Sequence, residues 1–244
     1  MDRRIVQVTT LGQYGRFGNQ LFQYVFARSY AEMFGAVLEV PQWDGEKLFG
    51  GVRHPRPSIT LPRTRPDDVP WGQVNIDLCG YFQTSKCFSI ISKTSVSKWL
   101  SFNSDIVEYY KGVRPAIAAH IRRGDYVKTH SKHYCIVTKQ SYVKACHRLG
   151  LHISDISWVC EEEPRVDTFS AGLGVTWLPD FMGMVNASVL LRSNSTFSFW
   201  AGFFSRGRVC SPIVGSLTGK HTVPFTEGND EPICTMTDRI VFKD

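Results

Sequence analysis

No two cysteines in this 244-residue chain are spaced Cys-x-x-Cys, and it contains no run of about 18 apolar residues. The first absence, with seven cysteines scattered singly from Cys79 to Cys234, speaks against a zinc cluster and against a disulfide framework and favours a reducing compartment. The second leaves no transmembrane segment, and Met1-Asp2-Arg3-Arg4 leads into a short strand-like stretch rather than a long apolar core. The expected setting is cytoplasmic, or that of a soluble catalytic domain cut from a larger protein. A phosphate-cradling Lys-Ser/Thr loop is also missing, and Gly12, Gly15 and Gly18 have the wrong spacing for a dinucleotide fingerprint. The net charge of +6 is dispersed, part of it in Arg53, Arg56, Arg63 and Arg65 of a proline-rich connection. A nucleic-acid binder concentrates such charge on one face, so nucleic acid is not the expected partner; an anionic small substrate is.

What the chain does have is His120-Ile121-Arg122-Arg123-Gly124-Asp125-Tyr126, directly after the apolar segment Ala116-Ile117-Ala118-Ala119. Such a segment reads as a buried strand between helical layers, which places the motif at a strand's carboxyl end. Ligands bind at that edge in open α/β sheets, and two guanidinium groups there suit a phosphate. The competing reading is a solvated turn in which Asp125 neutralises an arginine.

In chain order, residues 5–10 read as a strand, 12–19 as a glycine-punctuated turn, and the apolar spacing from Gln20 as a helix ended by Gly35. Residues 36–40 resume a strand, 41–74 form a long connection, and 88–111 read as helical. Gln140 to Leu149 is a helix, and 156–160 a strand ending in Glu161-Glu162-Glu163, carboxylates that either start a helix or read a ribose or base. Val175 to Leu178 is expected to be a strand, Asp180 to cap a helix from Phe181, and 188–192 and 208–211 to be strands. Between the last two, Ser193-Asn194-Ser195-Thr196 opens an apolar helix, 197–204, whose amino terminus can hold an anion. The tail from Gly219 shows no pattern. Residues 116–212 thus alternate as in a doubly wound domain, with a boundary near 112–115.

The constellation resembles the inverting α-1,2-fucosyltransferases of glycosyltransferase family 11. Four segments carry it: Gly15 through Tyr24, Gly80-Tyr81-Phe82-Gln83, His120 through Tyr126, and Asn194 through Trp200. The resemblance implies an α/β, GT-B-like fold of two Rossmann-like lobes with a cleft between them: a reduced acceptor-side lobe, 1–112, and a nucleotide-sugar-binding lobe, 113–244. It implies a GDP-fucose donor, a glycan acceptor and no metal, in keeping with the lack of any Asp-x-Asp. Carried over by position, Arg122, with Arg123 beside it, would meet the diphosphate, and Asn194, Ser195, Thr196 and Ser198 would cradle it. His120 and Glu162 or Glu163 would face base and ribose, and Gly18 and Asn19 would close over the sugar. The family's Ser-Asp-Asp is Glu161-Glu162-Glu163 here, which leaves base selectivity open, and rhamnose or xylose stand beside fucose. Arg122, Asp125 and His130 are the catalytic candidates. Asp125 is either general base or counter-ion, with His130 and His133 the other bases.

Overall fold

The structure, a computed structural model, describes residues 3–128, 132, 134–161, 163–233 and 240–243. The chain forms two compact units, Met1–Ile106 with Val241–Asp244, and Val107–Ile240.

In the first unit, β1 (Ile5–Gln7) leads through the glycine turn into α1 (Phe17–Met33), followed by β2 (Val37–Glu39), the single turn α2 (Gly45–Leu48) and β3 (Ile76–Asp77). The strands are parallel in the order β2-β1-β3. α1 starts at Phe17, inside the expected turn, and is buried on most of its surface because Leu21, Phe22, Val25 and Phe26 leave it little polar face. The long connection before β3 is held by polar links. Thr9 donates its N–H and hydroxyl to Asp77, at 2.9 and 2.6 Å, and Arg63 Nε donates to the same carboxylate at 2.8 Å. Residues 88–111 are not one helix. They form the end of α3 (Ser85–Phe88), then α4 (Lys93–Trp99) and α5 (Ser104–Tyr110), with Ser92 capping α4 through its hydroxyl.

The second unit takes in the end of α5 and then β4 (Ile117–Ile121), every residue of which is buried. α6 (Gly124–Lys128), β5 (Cys135–Val137) and α7 (Lys139–Leu149) follow, α7 stopping at Gly150 in the left-handed conformation, φ 68°. Then come β6 (Ile156–Cys160), α8 (Thr168–Leu173) behind an Asp167 capping box, α9 (Leu178–Val185) and β7 (Val189–Leu191). α10 (Thr196–Phe204), β8 (Arg208–Pro212), β9 (Gly219–His221) and β10 (Phe225–Glu227) complete it. The main sheet runs β10-β8-β7-β4-β6, parallel except for β10, and β5 pairs with β9 in a separate parallel ribbon. The strand alternation of β4 sends Ile117, Ala119 and Ile121 into a core with Tyr142, Ala145 and Cys146 of α7. His120, on the opposite face, meets the ring of Phe197 in α10 at 5.8 Å.

Two expectations need correcting. Val175 to Leu178 is no strand: Gly174 closes α8 in the left-handed region, Leu178 N bonds back to Val175 O, and α9 starts at Leu178 with Pro179 in its first turn. Asp180 therefore lies within α9, where a proline-led first turn favours helix over strand. And the tail beyond Gly219, where no pattern was legible, supplies β9 and β10.

Candidate functional site

The chain leaves β4 for β6 on one side, then crosses to β7 on the other, so its connections diverge at the carboxyl ends of β4 and β7. These strands are parallel neighbours, with Ala119 opposite Leu191. A switch point of this kind is where doubly wound sheets bind ligands. Here it brings together the segments beginning at His120 and at Arg192.

On the β7 side the loop into α10 is held by its own hydroxyls. Ser195 Oγ accepts from Phe197 N at 3.3 Å as the helix cap, and Ser198 Oγ donates to the carbonyls of Ser193 and Ser195 at 3.1 and 3.3 Å. Asn194 Nδ2 donates to Cys135 O at 2.9 Å. Arg192 lies under the loop, fully buried, and donates to Ser193 O at 3.2 Å, to Ser211 Oγ, and to the carbonyls of Asn229 and Glu231. Burial lowers its pKa to about 10, so it stays a cation at neutral pH and ties the loop to β8 and the following chain.

On the β4 side Arg122 is mostly buried, its guanidinium 5.1 Å from the centre of the Tyr126 ring. Tyr126 in turn donates its hydroxyl to Asn194 O at 3.2 Å, so the arginine and the serine-capped loop share one partner. Arg122 Nη2 pairs with Asp125 Oδ1 at 2.6 Å, and Nη1 pairs with Glu161 Oε1. The second pair follows from register. Ile121 lies opposite Cys160, which sets the next residues, Arg122 and Glu161, side by side. A Cβ at Gly124 would meet Glu161 Oε2, so a side chain there would push the carboxylate away from this pair.

The expected role of His120 is to face base or ribose. Its ring is buried, Nδ1 lies 2.8 Å from Ser193 Oγ, and its carbonyl accepts from Tyr142 OH at 2.7 Å. Burial, aided by the Arg122 charge, pushes its pKa down to about 3, so it is a neutral brace between the two strand ends. Arg123 is half-buried beside Arg122, Thr196 is half-buried at the start of α10, and Glu163 is exposed. His130, His133 and Glu162 lie outside the described residues.

In the first unit Gly18 is buried in the opening turn of α1, and Asn19 Oδ1 accepts from Gln83 Nε2 at 3.0 Å. Gly15, at φ 86°, leaves room for Asn19, whose amide nitrogen would stand 2.6 Å from a Cβ at that position. Tyr14 and Tyr81 stack at 4.6 Å. The first two family-like segments thus meet within this unit.

Glu161, Tyr126, Arg192 and Ser193 are site residues that sequence reasoning did not single out. Tyr126 stood in the motif and Ser193 beside another, but Glu161 needed the β4–β6 register and Arg192 a knowledge of burial. Among the described residues, no three His, Cys, Asp or Glu side chains gather closely enough to hold a metal ion, and no helix is long and apolar enough to cross a membrane.

The class these observations define is a GT-B-like α/β protein with cationic and hydroxyl groups gathered at a switch point. The chain belongs to glycosyl transferase family 11, whose sequence profile matches residues 80–214, and it is a glycosyltransferase. No curated protein matches the sequence. Among solved structures it is similar to NodZ alpha-1,6-fucosyltransferase soaked with GDP-fucose, with 14% identity and a TM-score of 0.56 over 93% of this chain and 100% of the other. It is similar also to selenomethionine fucosyltransferase NodZ from Bradyrhizobium, with 13% identity and a TM-score of 0.55 over 93% and 100%. A third, NodZ co-crystallised with GDP, has 14% identity and a TM-score of 0.52 over 93% and 99%. At such identities the likeness establishes the fold.

Proposed function

We propose that this glycosyltransferase moves L-fucose from GDP-fucose to a hydroxyl of a glycan acceptor, with inversion and without a metal ion. The observation that carries the reading is the joining of Arg122 and the Ser195-capped helix at one switch point through Tyr126. The family and the GDP and GDP-fucose complexes of the similar structures support the donor.

Transfer requires a stabilised diphosphate leaving group, an in-line hydroxyl and a route for its proton. Arg122 supplies a planar fork of donors to the diphosphate, and the amino terminus of α10 adds partial positive charge. Asn194, Ser195, Thr196 and Ser198 shape that turn, and Arg123 adds a second cation. Asp125, ion-paired with Arg122, acts as its counter-ion. Proton removal then falls to His130.

The test is incubation of the purified protein with GDP-fucose, dTDP-rhamnose and UDP-xylose over a panel of glycan acceptors, with chelator present. Transfer from GDP-fucose giving the inverted anomer by NMR is the expected result. Transfer from another donor alone, a metal requirement, or retention would each overturn the corresponding part.

A further inference from the structure

Beside α6 the second unit holds a cavity of about 360 Å³, of whose lining the chemistry above uses only Arg123. Arg123, Lys128 and Lys220 line it, together with Val127, Ile136 and Thr138, and no carboxylate is among its lining residues. The contrast with the neighbouring position is sharp: Arg122 is bound by two carboxylates, whereas among the described residues none of these three cations is in an ion pair. Lys128 and Lys220 are exposed and Arg123 is half-buried, so solvent screens their mutual repulsion, and together they give the cavity a positive potential that attracts an anion. The site is anchored. Lys220 is fixed opposite Ile136 by the β5–β9 register, and Thr138 Oγ1 is held 2.7 Å from Thr222 Oγ1 and 3.2 Å from Ser141 Oγ. Its apolar part, Val127 and Ile136, suits the C–H face of a sugar ring. It also adjoins the switch point, because Asn194 of the serine-capped loop bonds to Cys135 of β5.

We propose that this cavity is a second anion site, which takes a carboxylate, sulfate or phosphate group carried by the acceptor sugar, so that the preferred acceptors are acidic glycans. The identification of the ligand as acceptor rests on the glycosyl-transfer reading. The presence of an anion site does not.

Titration calorimetry on the whole chain separates the two. Methyl β-D-glucuronide, inorganic sulfate and inorganic phosphate are titrated into the protein with and without saturating GDP, with neutral methyl β-D-glucoside as the control. At least one of the anions is expected to bind both with and without GDP, and the glucuronide at least about 10-fold more tightly than the glucoside. Lys128→Ala and Lys220→Ala are each expected to weaken anion binding roughly 5-fold, one short-range charge interaction near a surface, and to leave GDP binding unchanged. The proposal is overturned if no anion binds, if glucuronide and glucoside bind alike, if neither lysine matters, or if GDP displaces the anion and the cavity is therefore part of the donor site. Failure of the donor reading looks different: GDP gives no heat while the lysine-dependent anion binding persists.

Discussion

Arg122 is held between two carboxylates, and that arrangement sets what the residue does. One guanidinium faces both Asp125 and Glu161, so the diphosphate of the proposed donor would have to displace at least one carboxylate. Asp125 is three residues away on the same turn, whereas Glu161 comes from β6 and swings on a longer side chain. Glu161 is therefore the group expected to give way. Removing its charge should strengthen donor binding: a unit charge about 6 Å from the ligand is worth roughly 1 kcal/mol or more. Glu161→Gln is expected to lower the Kd for GDP roughly 5-fold, measured by calorimetry; weaker binding would mean that Glu161 serves to aim the arginine. In the proposed reaction Arg122 is the main stabiliser of the leaving group, so Arg122→Ala is expected to cost roughly 100-fold to 1,000-fold in kcat. Wild-type turnover in a folded Arg122→Ala protein would remove the arginine from the mechanism. Arg122 was legible in the sequence because a strand-like run ends directly before it. Its partner was not, because three consecutive glutamates read alike until the Ile121–Cys160 register selects the first.

Single elements in the second unit differ in how far their sequences determined them. β4 and β6 read correctly as strands because each is a short apolar run leading straight into its charged segment. Val175 to Leu178 misled because four residues, three of them apolar, have too little length to show a period, and the arbiter was Pro179 beyond them. β9 and β10 carry no alternation at all and exist because partner strands offer an edge, β5 for one and β8 for the other. The start of β8 has a local requirement of its own. A Cβ on Gly207 would collide with the carbonyl of Ala187 and come within 2.6 Å of the carbonyl of Ser188, and backbone cannot yield as a side-chain tip can. Gly207→Ala is therefore expected to destabilise the unit by about 2 kcal/mol or more, the scale of steric misfits in a packed core. Gly124→Ala meets only the movable end of Glu161, so its stability cost should be small while GDP affinity shifts as in Glu161→Gln. Urea unfolding of both variants checks the contrast, and equal costs would defeat it.

Across the whole molecule, acid is expected to weaken both units through one histidine in each, half-buried in the first and buried in the second. His54, half-buried against Tyr24 Oη at 2.9 Å, has its pKa lowered to about 4 by burial and the nearby Arg28, and His120 has its own lowered to about 3. In each case the folded value lies below the ordinary 6.5, so between the two the unfolded chain binds a proton that the folded chain does not. Stability contributed this way is fully present above pH 6.5 and is lost as pH falls toward the folded pKa, with a slope of about 1.4 kcal/mol per pH unit for one such group. Asp180 acts in the other direction: burial raises its pKa, so its protonation on acidification favours the folded state and offsets part of the loss. His120→Asn separates the contributions, because its amide can replace Nδ1 beside Ser193 Oγ without titrating. Urea midpoints taken from pH 7 to pH 4.5 should fall for the natural chain and fall less steeply for His120→Asn. Parallel curves would mean that His120 takes up its proton in the fold, and the neutral brace between the ends of β4 and β7 would have to be abandoned.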